Sequence, residues 1–124
     1  MGIDVYLRWK LITEDEVAKQ YSGFSVKSGH LGYLREAYHG EPYATRRLLP
    51  EGFEAHGEPV HIPPEVLRER LPGVIKDATE RERALYGNDT VDEESPVIRS
   101  FTDFVELYEK MAAQGKHPMV HVSY

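Results

Sequence analysis

Side chains that can bind an anion or a planar ring are concentrated in residues 28–47, "SGHLGYLREAYHGEPYATRR". Arginine binds phosphate and carboxylate groups through paired N–H donors, tyrosine rings stack on planar ligands, and histidine transfers protons near neutral pH. The residues of these three types in the stretch are His30, Tyr33, Arg35, Tyr38, His39, Tyr43, Arg46 and Arg47. We therefore expect this stretch to bind a small anionic or aromatic molecule, with the arginines holding its charge and the rings shaping the pocket.

The same residue types support two other interpretations of the stretch. Tyrosine and arginine are enriched at the centres of protein–protein interfaces, so the stretch could be the contact surface of a homodimer or of another partner. Tyrosine also buries well while keeping one polar tip, which fits a stretch that only completes the core. A pocket is concave whereas an interface is flat, and this difference in shape separates the first two interpretations.

The beginning of the stretch carries the pattern of a helix. Leu31, Leu34 and Tyr38 fall at helical spacing, and Gly40 follows where a helix C-terminus favours glycine. Ser28 would then precede the first turn, where free backbone N–H groups and the helix dipole attract anions. This pattern predicts a helix within the stretch and an anion site at its start.

The segment from Tyr38 to Phe53, "YHGEPYATRRLLPEGF", resembles a pattern found in ADP-ribosyltransferases and the related RNA 2′-phosphotransferases. In those enzymes a His-Gly pair is followed by a helix and a Glu-Gly-Leu sequence. The resemblance implies that His39, followed by Gly40, would hold the ribose of a nicotinamide nucleotide. Glu41 stands where that family has a small hydroxyl residue. An ADP-ribosyltransferase-like enzyme is therefore a third functional interpretation, after the ligand pocket and the interface.

Charge and composition exclude several classes of function. The net charge of −6 argues against a nucleic-acid-binding protein, because such proteins usually present a basic face. The absence of cysteine excludes disulfides and thiolate metal sites and favours the cytoplasm. No stretch approaches the roughly 20 apolar residues that a membrane span requires. We therefore expect a cytoplasmic protein with neither nucleic acid nor membrane as a partner.

Motifs for catalysis or metal binding are absent from the sequence. There is no phosphate-binding loop, no nucleophilic-serine motif and no zinc-binding pattern. If the last segment is a strand, His117 and His121 lie about 13 Å apart at ~3.3 Å per residue, too far to share one ion. We assign no catalytic residue, no metal and no cofactor, and leave open whether the protein is an enzyme.

Both ends of the chain alternate between apolar and polar residues, as half-buried strands do. One strand is predicted at residues 3–9, with its apolar side chains facing the core, and a second at residues 118–124. If these strands pair, their other sides form one face that carries Asp4, Tyr6, Arg8, Met119, His121 and Ser123. This face is too polar for a core and too aromatic for ordinary surface. It could line a pocket, form a dimer interface or lie beneath helices.

Capping residues and apolar spacing predict several helices. Thr13 and Glu16 form a capping box for a helix at residues 14–21, in which Val17 and Tyr21 face inward. A strand is expected at residues 24–28, a short helix at 43–49, a helix from Pro63 that Pro72 interrupts, a second helical segment that ends at Gly87, and a helix that Ser100 caps and Gly115 ends. Residues 80–83, "ERER", are expected on a solvated helix face.

Together these elements predict one α+β domain that spans residues 1–124. Its small sheet contains both terminal strands, and several short helices cover that sheet.

Overall fold

A computed structural model describes residues 2–21, 28–87, 91–92 and 94–124 of the chain. Within these residues, a three-stranded antiparallel sheet carries helices on one face, which confirms the predicted α+β class. The strands are β1 (Gly2–Arg8), β2 (Tyr33–Ala37) and β3 (Met119–Ser123), in the order β2-β1-β3. The helices are α1 (Glu14–Tyr21), α2 (Ala44–Leu48), α3 (Pro50–Glu54), α4 (Pro64–Tyr86) and α5 (Pro96–Ala113), with a 3-10 helix at Ser28–Leu31.

Strand β1 is the centre of the sheet and has the predicted alternation. Ile3, Val5 and Leu7 are buried against the helices, and Trp9 follows them into the core. β1 pairs with β2 on one side and with β3 on the other, both antiparallel. The prediction that the two terminal strands lie in one sheet is confirmed, and they are direct neighbours.

Helix α1 begins at the predicted capping box. The Thr13 hydroxyl accepts the Glu16 backbone N–H at 3.2 Å, and the Glu16 carboxylate accepts the Thr13 backbone N–H at 3.1 Å. The prediction that Tyr21 faces inward is wrong, because its side chain is 56% exposed. Gln20 is buried instead, and its Nε2 donates to the carbonyl oxygen of Leu7 at 2.9 Å. The amide is satisfied by β1, so this polar side chain can occupy the buried position.

The helix predicted within residues 28–40 is wrong. The chain forms only a 3-10 turn there and then strand β2. Gly32 has a φ of +88°, which ends the turn, and a Cβ at this position would lie 3.0 Å from the Cβ of Leu7. Pairing with β1 then places Leu34 in the core. The strand predicted at residues 24–28 lies outside the described residues except for Ser28.

Helix α4 is continuous through Pro72, so the predicted interruption is wrong. Proline lacks the N–H that would bond to the carbonyl four residues earlier, but one buried stripe runs along the helix on both sides of it. The stripe consists of Leu67, Leu71, Val74 and Ala78. Burial of this stripe holds both halves of α4 against the same core. The helix ends at Gly87 as predicted, with a φ of +60° at that residue.

Helix α5 carries the predicted apolar face but begins one turn earlier than expected. Its N-cap is Ser95 rather than Ser100, whose hydroxyl instead donates to the Val97 carbonyl oxygen at 2.6 Å. The buried face includes Phe101, Phe104, Val105, Tyr108 and Met111, as predicted. Gly115 follows the helix with a φ of +72°.

The hydroxyl of Tyr108 connects α5 to two segments of irregular backbone. It accepts the Ile62 N–H at 2.8 Å and donates to the Ile62 carbonyl oxygen at 2.5 Å. The carbonyl oxygen of Pro118, just before β3, lies 3.1 Å from the same hydroxyl. Burial raises the pKa of Tyr108 to about 12. A neutral phenol is therefore part of the folded core.

Replacing Gly29 with alanine should destabilise the protein strongly. A Cβ at this position would lie 1.8 Å from the carbonyl oxygen of Ser100 in α5, and no rotamer change can move a backbone atom away. We expect the free energy of unfolding to fall by about 3 kcal/mol, as for severe over-packing. Gly57→Ala is the control, because its φ is +86° but nothing lies within 4 Å of the added atom. In urea unfolding, Gly57→Ala should lower the free energy of unfolding by about 1 kcal/mol. Equal losses in the two variants would contradict the close contact at Gly29.

Stability should decline at alkaline pH partly through Tyr108. Its pKa is about 12 in the folded state, whereas an exposed tyrosine has a pKa of about 10, so the folded protein holds this proton more tightly. The stabilisation is complete below pH 10 and is lost as the pH rises towards 12. Tyr108→Phe should lower stability at neutral pH by roughly 2 kcal/mol, because it leaves the buried Ile62 N–H unpaired. Above pH 10, the stability of Tyr108→Phe in urea unfolding should depend less steeply on pH than that of the unaltered protein. If the two proteins show the same dependence on pH, the raised pKa of Tyr108 is contradicted.

Candidate functional site

The face of the sheet opposite Ile3, Val5 and Leu7, here called the outer face, collects polar and aromatic side chains from all three strands, and the end of α1 lies beside it. The register places Asp4 beside Arg35 and Ser123, and Tyr6 beside Tyr33 and His121, while Arg8 pairs with Met119. The outer face contains two guanidinium groups and one carboxylate, whereas the whole chain has a net charge of −6. This surface is therefore locally positive on an acidic protein.

Tyr6 is the centre of a cluster of rings on the outer face. Its ring centroid lies 4.7 Å from that of Tyr21, 5.4 Å from that of Tyr33 and 6.1 Å from that of His121. Tyr21 belongs to α1 and is the most exposed member, at 56%. The solvent face of an antiparallel sheet is usually polar, so four rings gathered on this face are a departure from that pattern.

Asp4 fixes two residues of the 28–47 stretch on the outer face. Its Oδ1 accepts the hydroxyl of Tyr33 at 2.6 Å and Nη1 of Arg35 at 2.8 Å. Burial and the bond to Asp4 raise the pKa of Tyr33, so this phenol stays neutral. The bond to Asp4 raises the pKa of the Arg35 guanidinium. Tyr33 and Arg35 are thus already engaged, and they shape the surface more than they offer free donors.

Arg8 is the cation on the outer face that lacks a carboxylate partner among the described residues. Its Nη1 donates to Gln20 at 2.9 Å and to the Leu7 carbonyl oxygen at 3.2 Å, and its Nη2 donates to the Tyr21 hydroxyl at 3.1 Å. The guanidinium carbon lies 5.5 Å and 5.6 Å from the centroids of Tyr6 and Tyr21. Of its five N–H groups, those that remain are on Nε and Nη2, the two nitrogens of the side-on fork that binds carboxylate or phosphate.

Residues 36–45 form a second cluster, on the helical side of β2. The Glu36 carboxylate accepts the backbone N–H groups of Ala44 and Thr45 at 3.0 and 2.9 Å and the Thr45 hydroxyl at 2.7 Å. Glu36 therefore caps α2 from another element, where a negative charge is favourable. Its side chain is only 11% exposed.

His39 lies between Glu36 and helix α4. Its Nε2 is 3.1 Å from Glu36, and its Nδ1 contacts Nη1 of Arg81. The Gly40 carbonyl oxygen lies 2.9 Å from the same Nδ1, so this ring nitrogen meets both the backbone and Arg81. The ring also lies 4.9 Å from that of Tyr43. Both ring nitrogens are occupied, so a nucleotide ribose would have to displace one of these contacts to reach His39.

The remaining predicted site residues are dispersed. Tyr38 is 46% exposed with its ring 6.4 Å from that of Tyr43, and His30 is exposed in the 3-10 helix. Arg46 pairs with Glu41 at 3.0 Å, and Arg47 pairs with Asp77. Arg35 lies on the outer face while the other two arginines lie on α2, so the structure does not bring the three arginines together. The predicted anion site at Ser28 also loses its basis, because no α-helix begins there.

The structure places three side chains in these two clusters that the sequence analysis did not select as site residues: Tyr21, Arg8 and Arg81. Tyr21 was expected in the core, and Arg8 was noted only as part of a polar face. Arg81 was expected in solvent, but it is half-buried and donates to the carbonyl oxygens of Gly40 at 2.9 Å and Pro42 at 2.7 Å. Glu82 is also half-buried, and burial raises its pKa. The alternation of β1 placed Arg8 on the polar face of the sheet, whereas nothing in the sequence pattern identified Arg81.

Comparisons with known proteins give no assignment. No protein-family model, curated protein or solved structure matches this chain. The described residues contain no group of three or more possible ligands that could hold a metal ion. None of the helices within the described ranges is long and apolar enough to cross a lipid bilayer.

Replacing Glu36 with glutamine should destabilise the protein more than any exposed carboxylate-to-amide change. The amide cannot accept from all four donors, and its own N–H₂ would face some of them. We expect a loss of about 2–4 kcal/mol, as for a buried network that loses its charged member. Glu41→Gln, which affects an ion pair with 66% of the glutamate side chain exposed, should change stability by less than about 0.5 kcal/mol. Equal effects in chemical unfolding would rule out the capping role.

Proposed function

We propose that this protein binds a small anionic molecule that carries a planar ring, and that the outer face of its sheet is the binding surface. The observation that supports this most directly is Arg8, a guanidinium that lies beside two adjoining tyrosine rings and has only neutral acceptors among the described residues. Its contacts to Gln20 and Tyr21 orient the group and leave Nε and Nη2 able to donate to a ligand.

The rings around Arg8 account for the aromatic part of the ligand. Tyr21 is 56% exposed and lies 4.7 Å from Tyr6, so a ligand ring could pack beside it while its anionic group meets Arg8. Offset ring packing adds about 0.5–1.5 kcal/mol beyond simple burial. His121 and Arg35 lie on the same face and extend its positive and polar border.

Thermal denaturation in the presence of acetate, benzoate and adenosine monophosphate tests the proposal. A ligand that binds only the folded state raises the melting temperature, so benzoate or the nucleotide should stabilise the protein more than acetate. Arg8→Lys keeps the charge but removes the fork, and Tyr21→Ala removes the exposed ring. Arg8→Lys should weaken binding by about tenfold or more, since a charge-assisted hydrogen bond is worth ~1.5–3 kcal/mol. Tyr21→Ala should weaken it by a smaller factor, since ring packing is worth about 0.5–1.5 kcal/mol.

Arg83→Lys is the matched control. Arg83 is exposed on α4, donates to the Val91 carbonyl oxygen at 2.8 Å, and has no ion pair among the described residues. Its replacement should leave ligand binding unchanged. The proposal fails if no ring-bearing anion stabilises the protein, or if Arg83→Lys weakens binding as much as Arg8→Lys. Melting without ligand shows whether each variant is folded.

A protein-binding role is a second candidate, supported by the shape of the same surface. The outer face is one side of a sheet, and tyrosine and arginine are the residue types that anchor interfaces. Light scattering of the purified protein distinguishes this role. A dimer that Tyr21→Ala converts to a monomer, together with no response to any small anion, would favour an interface between copies of this chain.

A further inference from the structure

A cleft on the opposite, helical side of the molecule has the features of a separate binding site. It lies between the start of α2 and the second half of α4 and has a volume of about 280 Å³. Its apolar walls are the side chains of Pro42, Tyr43, Ala78 and Ala84, and its polar residues include Asp77, Glu80 and Arg81. The volume is near the lower limit of small-molecule sites, so only a compact ligand fits.

Arg81 supplies this cleft with a positioned but incompletely used guanidinium. Nη1 contacts His39 and donates to Gly40, and Nη2 donates to Pro42. Two of these partners are backbone carbonyl oxygens, and no carboxylate lies within ion-pair distance of Arg81 among the described residues. The contacts involve Nη1 and one N–H group of Nη2. The remaining N–H groups, on Nε and Nη2, form the side-on fork that matches a carboxylate.

The cleft also carries negative charge. Glu80 is exposed, and its carboxylate makes no hydrogen bond or ion pair with another described residue, while Asp77 is paired with Arg47. A ligand with only an anionic group would meet Arg81 but be repelled by these carboxylates. A ligand with only a cationic group would meet the carboxylates but be repelled by Arg81. A molecule with both charges satisfies both sides.

We propose that this cleft binds a small zwitterion of the α-amino acid class. The ligand carboxylate bonds to the fork of Arg81, and its ammonium group lies towards Glu80 and Asp77. The ligand side chain packs against the ring of Tyr43 and the alanines of α4. This site is distinct from the outer face in both position and ligand.

Isothermal titration with the standard amino acids, followed by derivatives of the amino acid that binds most tightly, tests the assignment. The N-acetyl derivative lacks the ammonium charge and the amide derivative lacks the carboxylate, so each should bind at least about tenfold more weakly. Arg81→Lys and Glu80→Gln should weaken binding of the parent amino acid to a similar extent. Glu65→Gln and Arg83→Lys, exposed changes elsewhere on α4, should have no effect.

Several results would overturn the proposal. One is that no amino acid binds at millimolar concentration. Another is that the N-acetyl derivative binds as tightly as its parent, which would indicate a simple anion site. Equal binding of the amide derivative would indicate a cation site. Loss of binding in Arg81→Lys counts only if its melting temperature is retained. Glu80→Gln provides the independent variant, because the Glu80 carboxylate has no partner to lose among the described residues. Arg8→Lys should not affect this binding, so failure of either proposed site can be recognised separately.

Discussion

The buried carboxylate of Glu36 joins the sheet to the helices. A charge that is only 11% exposed is tolerable because four donors surround it: two backbone N–H groups of α2, the Thr45 hydroxyl and His39. Through these contacts β2 determines where α2 begins, and through His39 it determines where Arg81 of α4 can lie. The cleft beside α4 is therefore lined by residues that Glu36 positions, directly in α2 and through His39 at Arg81.

The alternation of β2 explains why one sequence stretch contributes to two surfaces. Successive residues of a strand point to opposite faces. Tyr33 and Arg35 therefore join Asp4 on the outer face, while Leu34 and Glu36 point towards the helices. A cluster of similar residues in the sequence thus contributes to two surfaces with different electrostatic character. The outer face is locally positive, whereas the cleft places one guanidinium beside carboxylates.

Elements defined by local signals were predictable from the sequence. The alternation of β1 and β3, the Thr13–Glu16 capping box and the apolar face of α5 all describe interactions between near neighbours. Residues 28–40 were not predictable in this way, because the spacing of Leu31, Leu34 and Tyr38 also fits a turn followed by a strand. Pro72 was overestimated as a helix breaker, since burial on both sides of it outweighed one missing hydrogen bond.

The candidate sites were predictable in composition but not in arrangement. The sequence identified the tyrosines, histidines and arginines of residues 28–47, but their partners lie far along the chain. Asp4 is 31 residues from Arg35, and Arg81 is 42 residues from His39. Such pairs depend on how the elements pack, which no local pattern records. Arg8 and Arg81 stand out only once it is known which arginines have carboxylate partners.

The pairing of β1 with β3 has a practical consequence for work with this protein. Asp4 lies opposite Ser123 in the sheet, so residues 2 and 124 lie close together at one end of the paired strands. A short peptide could therefore bridge these two positions without changing which strands are neighbours. Because Asp4 and Ser123 belong to the outer face, an affinity tag or fluorescent protein attached at residue 2 or 124 would lie beside that face. Removing such a fusion before any binding measurement would keep that surface accessible.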